Sequence, residues 1–112
     1  MVKFVAMMKR KSGMTAEEFS QYWYEKHAPL VMEVLPGIKR YVQNHAVKLP
    51  GRTGEPRVDG ILELWFEDLE SWQRFTDWYF SDDGKVLRDD ELKFIDMSTV
   101  ISFVAEEKVI KP

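Results

Sequence analysis

Cysteine is absent from the 112-residue chain, which excludes disulfides, thiolate metal sites and cysteine nucleophiles together. No apolar run approaches the length of a membrane-crossing helix, and the basic, apolar, small-residue order of a signal peptide is missing. A cytoplasmic protein that stays off membranes is therefore expected. A broad basic surface is missing as well: the one tight cluster is Lys9-Arg10-Lys11. Phosphate-backbone binding needs more than that, so no nucleic-acid partner is expected. There is no glycine-rich phosphate loop, no G-x-S-x-G elbow and no credibly spaced Ser/His/Asp set. His27 and His45 are the only histidines, and a zinc site normally takes a third protein ligand. Asp90 or Glu91 could supply one, but nothing in the spacing argues for it, and no metal is expected.

What is present is apolar and aromatic. The hydrophobic share is 45%, with four Trp, seven Phe and four Tyr, too much for a disordered chain. It is also generous for a domain of this size, which buries only about two thirds of the surface that its unfolded chain exposes. Residues 1–112 read as one domain. Charge is uneven, +4 over residues 1–50 and −7 over 51–112.

Val2–Met8 reads as a strand with Phe4, Ala6 and Met8 on one face and Val5 and Met7 on the other, hence as covered on both sides. Thr15 and Glu18 form a capping box. The helix behind it carries Phe19, Trp23, Leu30 and Val34 in a stripe, with His27 among them. Pro29 has no N–H to bond back to Glu25, so the helix must kink or restart there, and Pro36-Gly37 closes it. Residues 38–48 read as a second strand, with Arg40, Val42 and Asn44 on one face and Tyr41, Gln43 and His45 on the other. Leu49 to Gly60 is rich in Pro and Gly, either a lid or a plain connection. Ile61–Phe66 is a third strand. Asp68 or a neighbour caps a second helix striped by Leu69, Trp72, Phe75 and Tyr79. Trp78 falls off that stripe, at an interface or exposed. A short amphipathic piece with Val86, Leu87, Leu92, Phe94 and Ile95 precedes a fourth strand, Thr99–Ala105.

The order is β-α-β-β-α-β, an α+β chain with the ferredoxin-like sandwich as its expected form. Helices cover one face of such a sheet. With strands apolar on both faces, a second copy of the chain is the expected source of the missing layer, and a homodimer follows.

The run Phe19-x-x-Tyr22-Trp23-x-x-x-His27-Ala28-Pro29-Leu30, then Pro36-Gly37-Ile38-x-x-Tyr41-Val42-Gln43-Asn44, resembles the EthD family. So do Asp59-Gly60, Glu63-Leu64-Trp65-Phe66, Gly84, Asp90-Glu91, Phe94-Ile95-Asp96 and Glu106-Glu107. The resemblance implies a dimeric α+β barrel and no metal or organic cofactor. It also implies kinship with small lactone isomerases and with polyketide cyclases and lyases of aromatic pathways. The activity so implied is a cofactor-independent isomerase, cyclase or lyase acting on a lactone, aromatic or polyketide-like molecule. The other reading is a non-catalytic small-molecule binding or accessory protein of an oxygenase pathway.

An imidazole can move protons near neutral pH, and the resemblance places His27 in the cavity as the acid–base group. A core histidine held by a hydrogen bond is the competing reading. Tyr22, Trp23, Trp65 and Phe103 would furnish an apolar pocket, while each taken singly reads as ordinary core; Tyr41, Gln43 and His45, with Asn44, would supply its polar contacts or else face solvent. Asp90 either orients the imidazole or caps the last short helix.

Overall fold

A computed structural model describes residues 1–35 and 37–112. The elements run β1 (Val2–Arg10), α1 (Ala16–Tyr22), a π-helical turn (Trp23–His27), α2 (Ala28–Val34), β2 (Arg40–His45), β3 (Gly60–Phe66), α3 (Leu69–Tyr79), a 3₁₀ turn (Asp82–Gly84), α4 (Lys85–Glu91) and β4 (Ile95–Ala105). The strands form one antiparallel sheet in the order β2-β3-β1-β4, the ferredoxin-like arrangement expected from the element order. The closing turn read at Pro36-Gly37 lies partly outside the described residues.

Local chemistry sets the helix limits. Thr15 and Glu18 complete the capping box, and the Asp68 carboxylate accepts from the Ser71 amide. Around Pro29 the helix runs on without a break. It widens, with the Ala28 N–H bonding to the Trp23 carbonyl five residues back, and α2 continues it with Pro in its first turn.

Side chains of β1 and β3 alternate across the sheet. Phe4, Ala6, Met8, Leu62 and Leu64 face the helices. Two packed clusters form there: Met8, Phe19, Trp23, Phe94 and Ile95 at one end, and Val31, Leu35 and Leu87 at the other. Trp78 packs on the second cluster. Gly60 lets the Trp23 ring lie on the start of β3, since a Cβ there would come within 2.4 Å of it. α3 buries none of its residues fully, because a cavity lies beneath it. Trp72, Phe75, Thr76 and Tyr79 form its roof.

The opposite face of the sheet has no helix over it, and here the expectation is corrected. β2 and β4 are free edges among the described residues, so the sheet is open and is not closed into a dimeric α+β barrel. Nor is the outer face wholly apolar. The register sets Val5 between Glu63 and Phe103, and Lys3 between Trp65 and Ala105. The Lys3 ammonium binds Glu63 at 2.7 Å and Glu107 at 3.0 Å, and it lies 5.1 Å from the centre of the Trp65 ring. The Arg40 guanidinium lies 4.7 Å from the same ring. Long charged side chains lying along apolar surface cover the part around Trp65 without a second layer, while Ile101 and Phe103 of β4 stay exposed.

Strand boundaries also move. β1 runs on to Arg10, β2 is shorter than residues 38–48, and β3 starts one residue early, at Gly60. β4 begins at Ile95, read as helix-associated, because an irregularity between Met7 and Lys9 in the β1–β4 register lets pairing resume at Asp96 and Ile95. The loop of residues 46–59 is tied to the end of β1: Arg10 binds Asp59 at 2.8 Å and Glu55 at 2.9 Å, and Lys9 donates to the Pro56 carbonyl at 2.9 Å. Among the described residues, no helix is long and apolar enough to cross a membrane.

Candidate functional site

Between the two clusters the sheet and α3 border a partly open cavity of about 400 Å³. Its wall is mostly apolar, and its polar members are His27, Tyr41, Thr76, Tyr79, Glu91 and Ser102. No lysine or arginine lines it among the described residues.

The widened turn ending at His27 delivers that ring to the cavity wall with only 5% of the residue exposed. Nδ1 lies 2.7 Å from Asp90 Oδ2, and the other carboxylate oxygen accepts from the Tyr22 hydroxyl at 2.6 Å. The ring rests 4.8 Å from that of Phe94. Burial disfavours the imidazolium and outweighs the pull of Asp90, so the His27 pKa is lowered. A neutral ring whose Nδ1–H donates to the Asp90 carboxylate leaves Nε2 as a bare acceptor for a ligand. Burial alone would raise the Asp90 carboxyl, but the hydrogen bonds from Tyr22 and His27 hold it below the usual range. Burial and the neighbouring carboxylate push the Tyr22 hydroxyl up to about 12.

Glu91 is the second ionisable group of the wall. Consecutive helix residues are turned about 100° apart; Asp90 therefore points at His27 while Glu91 points into the cavity. Its Oε1 accepts from the Tyr79 hydroxyl. Burial in apolar surroundings pushes its carboxyl up to about 7, against the Tyr79 hydrogen bond and with the help of the Asp90 charge.

The residues singled out from the sequence thus separate into four places. His27, Trp23 and Tyr41 line the cavity. Tyr22 and Asp90 stand behind His27 and orient it. His45 is engaged elsewhere: its Nδ1 pairs with the Ser20 hydroxyl, its Nε2 lies 2.8 Å from Gln43 Oε1, and its ring stacks 4.5 Å from Trp23. Gln43 in turn donates to the Tyr41 hydroxyl at 2.7 Å and to the Trp23 carbonyl at 3.0 Å. Asn44, Trp65 and Phe103 lie on the outer face, with the sheet between them and His27. Asn44 there donates to the Ile61 carbonyl and to Glu63, both at 3.0 Å. Glu91 and Tyr79 were not picked out as site residues. The signal that could have found them is the adjacent acidic pair at a helix end, of which only one member can face His27.

No group of three His, Asp or Glu side chains able to hold a metal ion occurs among the described residues. The loop of residues 46–59 contributes nothing to the cavity wall, which removes the ground for reading it as a lid over this site.

No curated protein sequence matches the chain. Among solved structures, an ethyl tert-butyl ether D (EthD) family protein from Bacillus halodurans is 26% identical, with a TM-score of 0.70 over 96% of this chain and 99% of that one. The hydroxynitrile lyase of Passiflora edulis shares the fold at 10% identity, with a TM-score of 0.67 over 99% of this chain and 96% of its own. A dimeric protein of unknown function and ferredoxin-like fold from Bacteroides fragilis does so at 12% identity, with a TM-score of 0.62 over 95% of each chain. One fold carrying proteins so differently described selects no activity, and the isomerase or lyase assignment implied by the sequence resemblance is withdrawn on that ground. The family itself is secure, because the EthD domain model matches residues 11–98, most of the chain: this protein belongs to the EthD family.

Proposed function

We propose that the protein binds a small, largely apolar molecule in the cavity beneath α3. The observation that carries this reading is an apolar space of about 400 Å³ into which a few fixed polar groups converge, the usual make-up of a ligand site. A fused two-ring aromatic ketone such as 2-acetonaphthone suits that volume, and Trp23 and Trp72 in the wall report its arrival. Saturable quenching of tryptophan fluorescence is expected, with one ketone bound per chain. Ala6→Phe, which fills the cavity from the floor of the sheet, should weaken binding at least tenfold while circular dichroism stays unchanged. Equal binding by the filled variant, or none by the native chain, would refute the assignment.

A second reading, proton transfer at a carbonyl compound, is supported by the Asp90–His27 pair, which leaves Nε2 free to act as a base. The methyl protons of the same ketone would then exchange with D₂O faster in the presence of the native chain than of His27→Gln. Indistinguishable exchange rates would leave binding alone.

The reading extends to the outer face. Ile101 is 63% and Phe103 54% exposed there, and the Bacteroides fragilis relative is described as dimeric. Self-association through this β4 patch should give twice the 13.2 kDa chain mass in sedimentation equilibrium at micromolar protein. Phe103→Lys should return the single-chain mass. A native chain that stays single across that range would end the dimer reading.

A further inference from the structure

Glu91 has a chemical setting that the binding proposal leaves unused. One carboxyl oxygen is occupied by the Tyr79 hydroxyl, and the other has no hydrogen-bond partner among the described residues. The neighbouring cation, Arg88, is no help to a ligand, because its Nη1 is committed to the backbone carbonyls of Tyr79 and Ser81. With no Lys or Arg in the wall, nothing inside the cavity would compensate a second negative charge, and burying an unpaired charge is strongly unfavourable. A protonated carboxyl there is a donor aimed into apolar space.

We propose that Glu91 is the ligand-selecting residue of the cavity: its carboxylic acid, steadied by Tyr79, donates a hydrogen bond to the ketone or phenol oxygen of an uncharged ligand, and its presence shuts out ligands that carry a carboxylate. This rests on the cavity being the ligand site. The charged and titratable groups around Glu91 are Tyr79 from α3, Arg88 and Asp90 from α4, Tyr41 from β2 and His27 from the π-helical turn. Of these, Tyr41 and Tyr79 are pushed upward by burial, and so stay neutral through the range in which Glu91 titrates. Asp90 stays ionised.

The test compares 2-acetonaphthone with 2-naphthoate, which has the same ring system but is ionised throughout, at pH 5.5, 7 and 8.5. The native chain should hold the ketone at least tenfold more tightly at pH 5.5 than at pH 8.5, and should prefer ketone to naphthoate at least tenfold at every pH. In Glu91→Gln the amide still donates but no longer titrates, so the ketone affinity should become flat with pH and stay within about threefold of the tight native value. Ketone affinity that ignores pH in the native chain, or that keeps the same pH dependence in Glu91→Gln, would overturn the role of Glu91 and leave the cavity reading intact. Failure of the ketone to bind saturably at any pH would overturn both.

Discussion

Replacing Asp90 with Asn should destabilise the folded chain by about 3 kcal/mol and free the His27 ring from a single tautomer. Asp90 is 8% exposed and accepts two hydrogen bonds, at 2.6 Å from Tyr22 and at 2.7 Å from His27. Hydrogen bonds to an ionised group contribute about 1.5–3 kcal/mol each, and a buried donor left without its acceptor loses its solvation as well. Asn offers one acceptor oxygen, and its amide protons face a group that is itself a donor. The figure therefore lies nearer the loss of one charge-assisted bond with its desolvation than the loss of two. Asp90 also raises the His27 pKa against the stronger effect of burial, so the imidazole of the variant should titrate at lower pH than in the native chain. Urea unfolding gives the first quantity, and the ¹⁵N shifts of the histidine ring give the tautomer and the titration. A loss below about 1 kcal/mol with an unchanged tautomer would mean that Asp90 does not hold the ring.

The second large effect is on stability against pH. Glu91 keeps its proton in the folded chain up to about pH 7, but an unfolded glutamate ionises near its model value of 4.5. Between these values the folded state binds the extra proton, so this contribution is fully present below about pH 4.5 and is lost as pH rises through 7. Linkage makes the loss about 3 kcal/mol over the window. His27 acts in the opposite sense. Its folded pKa is lowered from 6.5, so the unfolded chain takes up the proton first, and stability rises with pH towards 6.5. The native curve is the sum of these opposed contributions. Glu91→Gln removes only the falling contribution, and the other shifted groups cancel in the difference between the two proteins. That difference should grow in favour of the variant by about 3 kcal/mol between pH 4.5 and 7.5, read from urea unfolding at four pH values. Parallel curves would show that Glu91 is not held protonated.

Much of the frame was legible because it depends on neighbours in sequence. Thr15 with Glu18, Asp68 ahead of an apolar stripe, and the missing N–H of Pro29 each act within a turn of chain. Strand order followed from the alternation of elements. The sidedness of the sheet was less accessible. Parity places Trp65 and Glu63 together, and likewise Phe103 and Ile101, but which parity faces the helices is fixed by register across the sheet. Asn44, Trp65 and Phe103 were therefore put with His27 when they lie behind it. Reading β1 as apolar on both faces passed over Lys3 and Lys9, which share a face with Val5 and Met7. Lys3, with its long stem over Trp65, covers that part of the sheet. Glu91 was weighed only as a third metal ligand, because its partner, Tyr79, lies on another helix.

The placement of α3 bears on how such a protein changes over generations. Trp72, Thr76 and Phe80 border the cavity and belong to neither packed cluster, so changing their size or polarity alters the shape of the space at small cost to the fold. His27 and Asp90 have no such freedom, since they are wedged against Tyr22 and a Phe94 that is wholly buried. Substitutions accumulating along one helix can retune which molecule fits, while the residues that hold the proton-bearing pair stay as they are.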